Sequence, residues 1–291
     1  MNPGDPGDPG SPGSPEERAN AYDAVCARCG GPVPAGGGVL RHGARGWEVY
    51  HREHAPVAGP PPAGDHPGWH RRRLLSLDIG STGNRPERDR IMAAAVRGSD
   101  GVARDWVLDL GSDIQKTNIG SDVRPTSRVP PAPPVPPAQA LEELATVLAD
   151  HLARRELLVV WYAPHVLTTL HAELLRHGLA PLADRLPDGV VAPVCDPLVL
   201  DRHADRYRSG RRSLSAVAAW YGVAHERPGD PASDAVAALG VAVAVAAAYP
   251  AVARFSRPAL HTEQVLWYAE QMERHPDAPA WPFEAVAPVE E

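Results

Sequence analysis

Lysine is almost absent from this chain of 291 residues: Lys116 is the only one, and arginine supplies the other 28 of its 29 basic side chains. Set beside the heavy proline and alanine load, that bias reads as the mark of a GC-rich genome rather than of guanidinium chemistry. Net positive charge is lacking too. A formal charge of −7 excludes a histone-like, wholly basic binder, while a local basic groove survives that test. Three cysteines, Cys26, Cys29 and Cys195, are too few for a disulfide framework. No basic segment followed by an apolar one opens the chain, and no apolar run of 18 residues free of charge is expected to precede or interrupt the domain. A soluble, cytoplasmic protein with no membrane partner is therefore expected.

What is abundant is proline and glycine, 33 and 26 residues, against a hydrophobic content of 43%. At that density some stretches cannot pack. Residues 1–20 start with NPGDPGDPGSPGSP, whose glycines recur every third position; the triplets are too few for a collagen helix, so a disordered arm is expected. Residues 21–54 form a small glycine-rich module, 55–71 a linker containing APVAGPPPAGDHPG, 72–249 the main domain, and 250–291 a C-terminal helix and tail.

Within the main domain, RRLLSLDI (72–79), RIMAAAVR (90–97) and DWVLDL (105–110) alternate or run apolar between turn-rich pieces, which predicts three consecutive antiparallel strands. TSRVPPAPPVPPAQ (126–139) predicts an extended, polyproline-like excursion, a possible protein-partner site. Leu141, Leu144, Leu148 and Leu152 then repeat at helical spacing. LLVVW (157–161) and VVAPVCD (190–196) suit buried strands, with an amphipathic helix over 167–178 between them. Further helices are predicted over 212–222, 232–249 and 261–275. Cys195, Trp161, Trp220 and Tyr221 fall in apolar periodic segments and are candidate core. A strand meander feeding βαβ units gives an α/β fold, a mixed sheet covered by helices.

Cys26-x2-Cys29 followed after 21 residues by His51-x2-His54 has the paired-ligand spacing of structural zinc sites. The GPVPAGGGVLRHGARGWEVY between the pairs mixes glycine turns with short β-prone runs. So short a piece has no core of its own without a metal, which predicts a zinc-ribbon-like module holding Zn²⁺.

LLSLDIGSTGNRPERDRI around Asp78 resembles the first motif of the DnaQ-like, or DEDDh, 3'-5' exonucleases, the family of the DNA polymerase III epsilon subunit. Leu77, Asp78, Thr82, Gly83, Pro86, Asp89, Arg90 and Ile91 match it. VVWYAPHVLTTLHAELLRHGL (159–179) resembles the second motif, and DPLVLDRHADRYRSGRRSLSAVAAWYGV (196–223) with GDPASDAVAAL (229–239) the third. The likeness spans about 180 residues in the family's order and implies a ribonuclease H-like mixed five-stranded sheet flanked by helices. It also implies two divalent metals held by four carboxylates, with a histidine as base.

Position by position, Asp78 and Asp234 match family carboxylates, whereas Gly80 stands for the Glu, Val166 for the second-motif Asp, Tyr162 for its Asn, and Gly229 for the His. Two remaining carboxylates are a poor cage for Mg²⁺ or Mn²⁺. His225 is a candidate substitute base and His165 a candidate metal-side imidazole. Thr82, Arg206, Arg211 and Arg212 are candidate nucleic-acid contacts, and Arg202 and Arg208 belong to the same basic cluster. The expected function is binding of single-stranded 3' ends with weakened or lost catalysis, a pseudoenzyme. The alternatives are an atypical exonuclease using Asp78, Asp234 and His225 with Mg²⁺ or Mn²⁺, and a non-enzymatic interaction scaffold.

Overall fold

The computed structural model describes residues 18–43, 46–56, 59–111, 133–208 and 210–288. Nearly all of the expected 1–20 arm, and the first half of the proline-rich excursion, lie outside the described residues. The chain divides into two compact units: one runs up to Gly59 and includes Tyr207–Arg211, the other comprises Pro60–Arg206 and Arg212 onward.

In the first unit, β1 (Ala24–Val25) pairs antiparallel with β2 (Pro32–Val33), and β3 (Gly38–Gly43) with β4 (Gly46–His51), which leads into a single 3-10 turn at Arg52–His54. The buried amide of Asn20 ties the hairpins together. It donates to the carbonyls of Tyr22 (2.9 Å) and Pro34 (2.8 Å) and accepts from Gly38 N–H (2.8 Å). At Gly38 a Cβ would lie 2.4 Å from Val33 Cγ1 and 2.5 Å from the Tyr50 carbonyl, so only glycine lets these strands close. Buried apolar side chains here are few, Cys26, Val33 and Val39 among them.

The second unit is built on a five-stranded sheet in the order β7-β6-β5-β8-β9. β5 (Leu74–Ser81), β6 (Ile91–Gly98) and β7 (Ala103–Val107) form the antiparallel meander, while β8 (Leu157–Val160) and β9 (Val194–Cys195) run parallel to β5. This is the expected mixed five-stranded sheet. All four residues of β8 are buried, as a central parallel strand covered on both faces requires. β9 is shorter than the predicted 190–196, because Pro193 has no N–H for the ladder and contributes only its carbonyl to Leu158 N–H (3.0 Å).

Helices α1 (Pro137–Ala153), α2 (Ala163–Arg176), α3 (Pro197–Ala204), α4 (Leu214–Trp220), α5 (Pro231–Ala248), α6 (Pro250–Ala253) and α7 (Arg257–Met272) cover the sheet. The predicted leucine stripe of α1 is buried in full. Four of the helices, α3, α4, α5 and α7, carry an Asp or Ser cap, at Asp196, Ser213, Asp230 and Ser256. α3 has no counterpart among the predicted helices, since PLVLDRHA is only eight residues long. α2 starts four residues ahead of its expected first turn because the Asp196 carboxylate, distant in sequence, accepts from Tyr162 N–H (3.1 Å) and Ala163 N–H (2.9 Å).

One expectation needs correction. Residues 235–253 carry no charge, and α5 is long and apolar enough to cross a membrane by length and composition. Here α5 packs against β5, β6 and β8, and its small Ala and Val side chains supply a large share of the core. Gly240 lets the segment after α4 lie close on α5, since a Cβ there would lie 2.6 Å from Val223 Cγ1. Cys195 is fully buried, as expected; Trp161 and Tyr221 are partly buried against the core.

Candidate functional site

Cys26 lies just after β1 and Cys29 in the turn to β2, while His51 ends β4 and His54 ends the 3-10 turn. One ligand atom from each lies within 4.8 Å of all the others. Cys26 Sγ is 3.6 Å from His54 Nδ1, Cys29 Sγ 3.4 Å from His51 Nδ1, and the two Nδ1 atoms 3.3 Å apart. His51 Nε2 donates to the Pro32 carbonyl at 3.0 Å, which leaves its Nδ1 lone pair aimed at the cluster. Burial works against a thiolate at Cys26, but the N–H groups of His51, Cys29 and Arg28 and the His54 side chain outweigh it, and its pKa falls to about 5. A deprotonated thiol facing two imidazoles is a soft donor set that fits a tetrahedral Zn²⁺.

In the sheet unit, the loop between β5 and β6 closes on itself. Asp89 accepts from Arg85 N–H (2.7 Å) and the Thr82 hydroxyl (3.4 Å), and Thr82 Oγ1 accepts from Arg90 N–H (2.9 Å). A Cβ at Gly83 would come within 2.5 Å of the Asp89 carboxylate. The loop is then clamped to α2: Arg90 Nε donates to buried Glu173 at 2.9 Å, Ile91 N–H donates to it at 3.1 Å, and Arg176 pairs with it as well. His177 Nε2 lies 2.9 Å from Arg90. The matching residues of the first two motifs thus interlock as a frame, and Glu173 is its hub. The sequence placed Glu173 within the second motif but assigned it no role of its own.

That frame presents Asp78, on β5, at an open cleft of about 900 Å³ shared with Asp234 near the start of α5. Burial first, then the charges of Asp234 and Asp230, raise the Asp78 pKa well above the usual carboxylate range. Asp234 is engaged otherwise: His225 Nε2 lies 2.6 Å from its Oδ1, and Gly229 N–H reaches both carboxylate oxygens at 3.2 Å. His225 Nδ1 is buried without a hydrogen-bond partner.

The substituted positions have their own geometry. A Cβ at Gly80 would sit 3.3 Å from Pro231 Cγ, so a side chain there requires that ring to give by a few tenths of an ångström. Val166 is buried on α2 and lines the cleft. Tyr162 holds a left-handed backbone (φ 54°) at the start of α2, a conformation that Asn tolerates far better. It is fixed by Asp196, whose burial raises its pKa to about 6 despite three N–H donors. Gly229 is left-handed too (φ 85°), so any side chain there is strained. His165 stacks on Tyr162 at the cleft, its pKa lowered by burial.

Of the candidate nucleic-acid contacts, Thr82 has its hydroxyl committed to the loop, and Arg212 pairs with buried Asp201 at 2.6 Å and with the Asp205 carbonyl. Arg211 lies in the first unit and Arg206 on an exposed rim of the second. The cleft also carries Arg202, and Arg274–Pro279 along one wall. No motif pointed to Arg274, which follows α7.

No family model matches the sequence, and no curated protein matches it. Solved structures similar to the chain include exonuclease I (14% identity, 62% of this chain and 42% of that chain, TM-score 0.48). The complex of E. coli exonuclease I with a dA16 oligonucleotide is another (13% identity, 62% and 42%, TM-score 0.47). So is an exonuclease I from Methylocaldum szegediense (17% identity, 61% and 41%, TM-score 0.44). The chain matches less than half the length of each. Strand order and register, given above, define the fold.

Proposed function

We propose that the sheet unit is a DnaQ-like domain that binds single-stranded nucleic-acid 3' ends without hydrolysing them. The position of Pro231 against Gly80 carries this reading. A two-metal centre needs a carboxylate there, and at Gly80 even a Cβ would crowd the proline ring at the first turn of α5. Val166 offers no oxygen, and Asp234 already accepts from Gly229 while in contact with His225. The residues present therefore do not fit a pair of divalent ions. The frame of Thr82, Asp89, Arg90 and Glu173 meanwhile keeps the cleft open, with Arg202, Arg274 and His275 beside the two aspartates. Such a cleft suits an anionic strand end.

In the first unit, Cys26, Cys29, His51 and His54 hold a structural Zn²⁺ that supplies the cohesion its small core lacks.

The test is a nuclease assay on labelled single strands with Mg²⁺ or Mn²⁺, run beside fluorescence anisotropy. Wild type should trim no faster than Asp78→Ala, yet bind the strand with an affinity that falls as salt rises. A second reading, an atypical nuclease with His225 as base, is favoured by the 2.6 Å contact between His225 and Asp234. It requires Mn²⁺-dependent release of mononucleotides that both Asp78→Ala and His225→Ala abolish.

A further inference from the structure

Next to the carboxylate cleft is a second cavity of about 500 Å³, lined by Arg206, His203, Trp267 and Glu270 among others. Arg202, Arg274 and His275 line both spaces, so cleft and cavity form one trough. Several other arginines of this unit are paired, among them Arg73 with Asp100 and Glu156, Arg90 with Glu173, Arg97 with Asp105, and Arg185 with Glu142. Among the described residues, the guanidiniums of Arg202, Arg206 and Arg274 take part in no ion pair or hydrogen bond. Three donor-rich guanidiniums, clustered along one trough beside Glu270, Glu273 and Asp277, are suited to a run of phosphates rather than to a single anion.

The floor of the cavity is aromatic. His203 stacks on Trp267 with ring centroids 3.7 Å apart and planes at 12°. Burial lowers the His203 pKa, which favours a neutral, flat imidazole.

We propose that this trough carries the phosphate backbone of a single strand away from its 3' end, with Arg202 and Arg274 at the threshold and Arg206 farther along. His203, braced on Trp267, offers a ring for a base to lie against. The proposal rests on the 3'-end reading above and adds the path and the residues that distinguish a long strand from a short one. Glu270, on the same cavity, opposes the strand and keeps the site from holding small anions indiscriminately.

The experiment uses the full chain with its zinc in place, in metal-free buffer, and anisotropy with labelled oligothymidylates of about three and about twelve nucleotides. The longer probe should bind wild type more tightly. Arg206→Ala should weaken it about five-fold and lower the slope of log affinity against log salt by about 0.7. The same change should leave the short probe unaffected, Arg206→Lys should keep the slope, and Glu270→Gln should strengthen the long probe. Arg206 is exposed, so its loss should leave the melting temperature unchanged. Wild-type slope and affinity in an Arg206→Ala/Arg274→Ala variant would overturn the trough alone. Equal binding of the short and long probes would do the same, leaving the 3'-end reading in place. Failure of wild type to bind either probe overturns both.

Discussion

The Cys2His2 cluster and the carboxylate cleft are opposite cases of how chemistry and frame relate. In the cluster, four ligands from two ends of a short segment converge within 4.8 Å, and few buried apolar side chains surround them. There the chemistry is the frame. In the cleft the frame is complete while the chemical positions read Gly80, Val166 and Gly229. Thr82, Asp89, Arg90 and Glu173 are held to one another by hydrogen bonds within the fold, and loss of Arg90 would leave the buried Glu173 carboxylate short of a partner. A metal ligand in the cleft has no such second duty.

The comparison can be broken most severely at the metal cluster. Cys26→Ala, or zinc removal by a chelator, should unfold the first unit outright, seen as loss of its amide dispersion by NMR, while the sheet unit keeps its spectrum. Survival of the hairpins without metal would show that the frame stands alone there too. Next in size is Glu173→Ala, which leaves Arg90 and Arg176 without their buried partner and should cost about 3 to 5 kcal/mol in urea unfolding. A cost near zero would mean that the frame is not held as described. Restoration comes third. Gly80→Glu and Val166→Asp, combined with Pro231→Ala to clear the 3.3 Å approach, should yield Mn²⁺-dependent trimming about 10²-fold above the wild-type background, equivalent to about 2.7 kcal/mol of barrier. Without Pro231→Ala the gain should be smaller. Gly229 is left alone in that design, because a histidine there meets an unfavourable φ and His225 already reaches Asp234.

The smallest effect is a pH dependence. The folded protein holds the Asp196 proton up to about pH 6, whereas an unfolded chain releases it near the ordinary 3.8. The native state thus binds more protons in between, and stability falls as pH rises from about 4 to 6 by about 2 kcal/mol. Asp196→Asn should flatten that portion of the profile relative to wild type in urea melts at each pH.

Much of the fold was legible in the sequence because its elements follow simple periods. The leucine stripe of α1, the apolar run of β8 and the three-strand meander all appear where their spacing put them. The cysteine and histidine pairs were legible because ligand spacing in a hairpin is local. What escaped was set by contacts distant in sequence. The early start of α2 depends on Asp196, 33 residues beyond Ala163. Gly80 reads as a lost ligand, but only the structure shows Pro231 crowding its place. Gly229 reads as a replaceable position until its φ of 85° is seen. The trough unites Arg202 and Arg206, which belong to a visible basic cluster, with Arg274, some seventy positions later and in no motif.

The course of α5 bears on the order in which the protein can assemble. This helix lies near the C-terminal end of the sheet unit, yet it packs on β5, β6 and β8, and the segment leading into β5 is fastened to it and to α6. Gly64 N–H bonds the Ala247 carbonyl at 2.8 Å, and the Trp69 indole bonds that of Val252 at 3.1 Å. Contacts of such sequence separation slow folding, because loop entropy is spent before they form. On the ribosome, the meander of 74–107 has to wait for residues 231–253 with its apolar face uncovered, a vulnerable interval for aggregation. Cys26, Cys29, His51 and His54 all lie within residues 26–54, so on the proposed reading a metal ion would find all four before the sheet is closed.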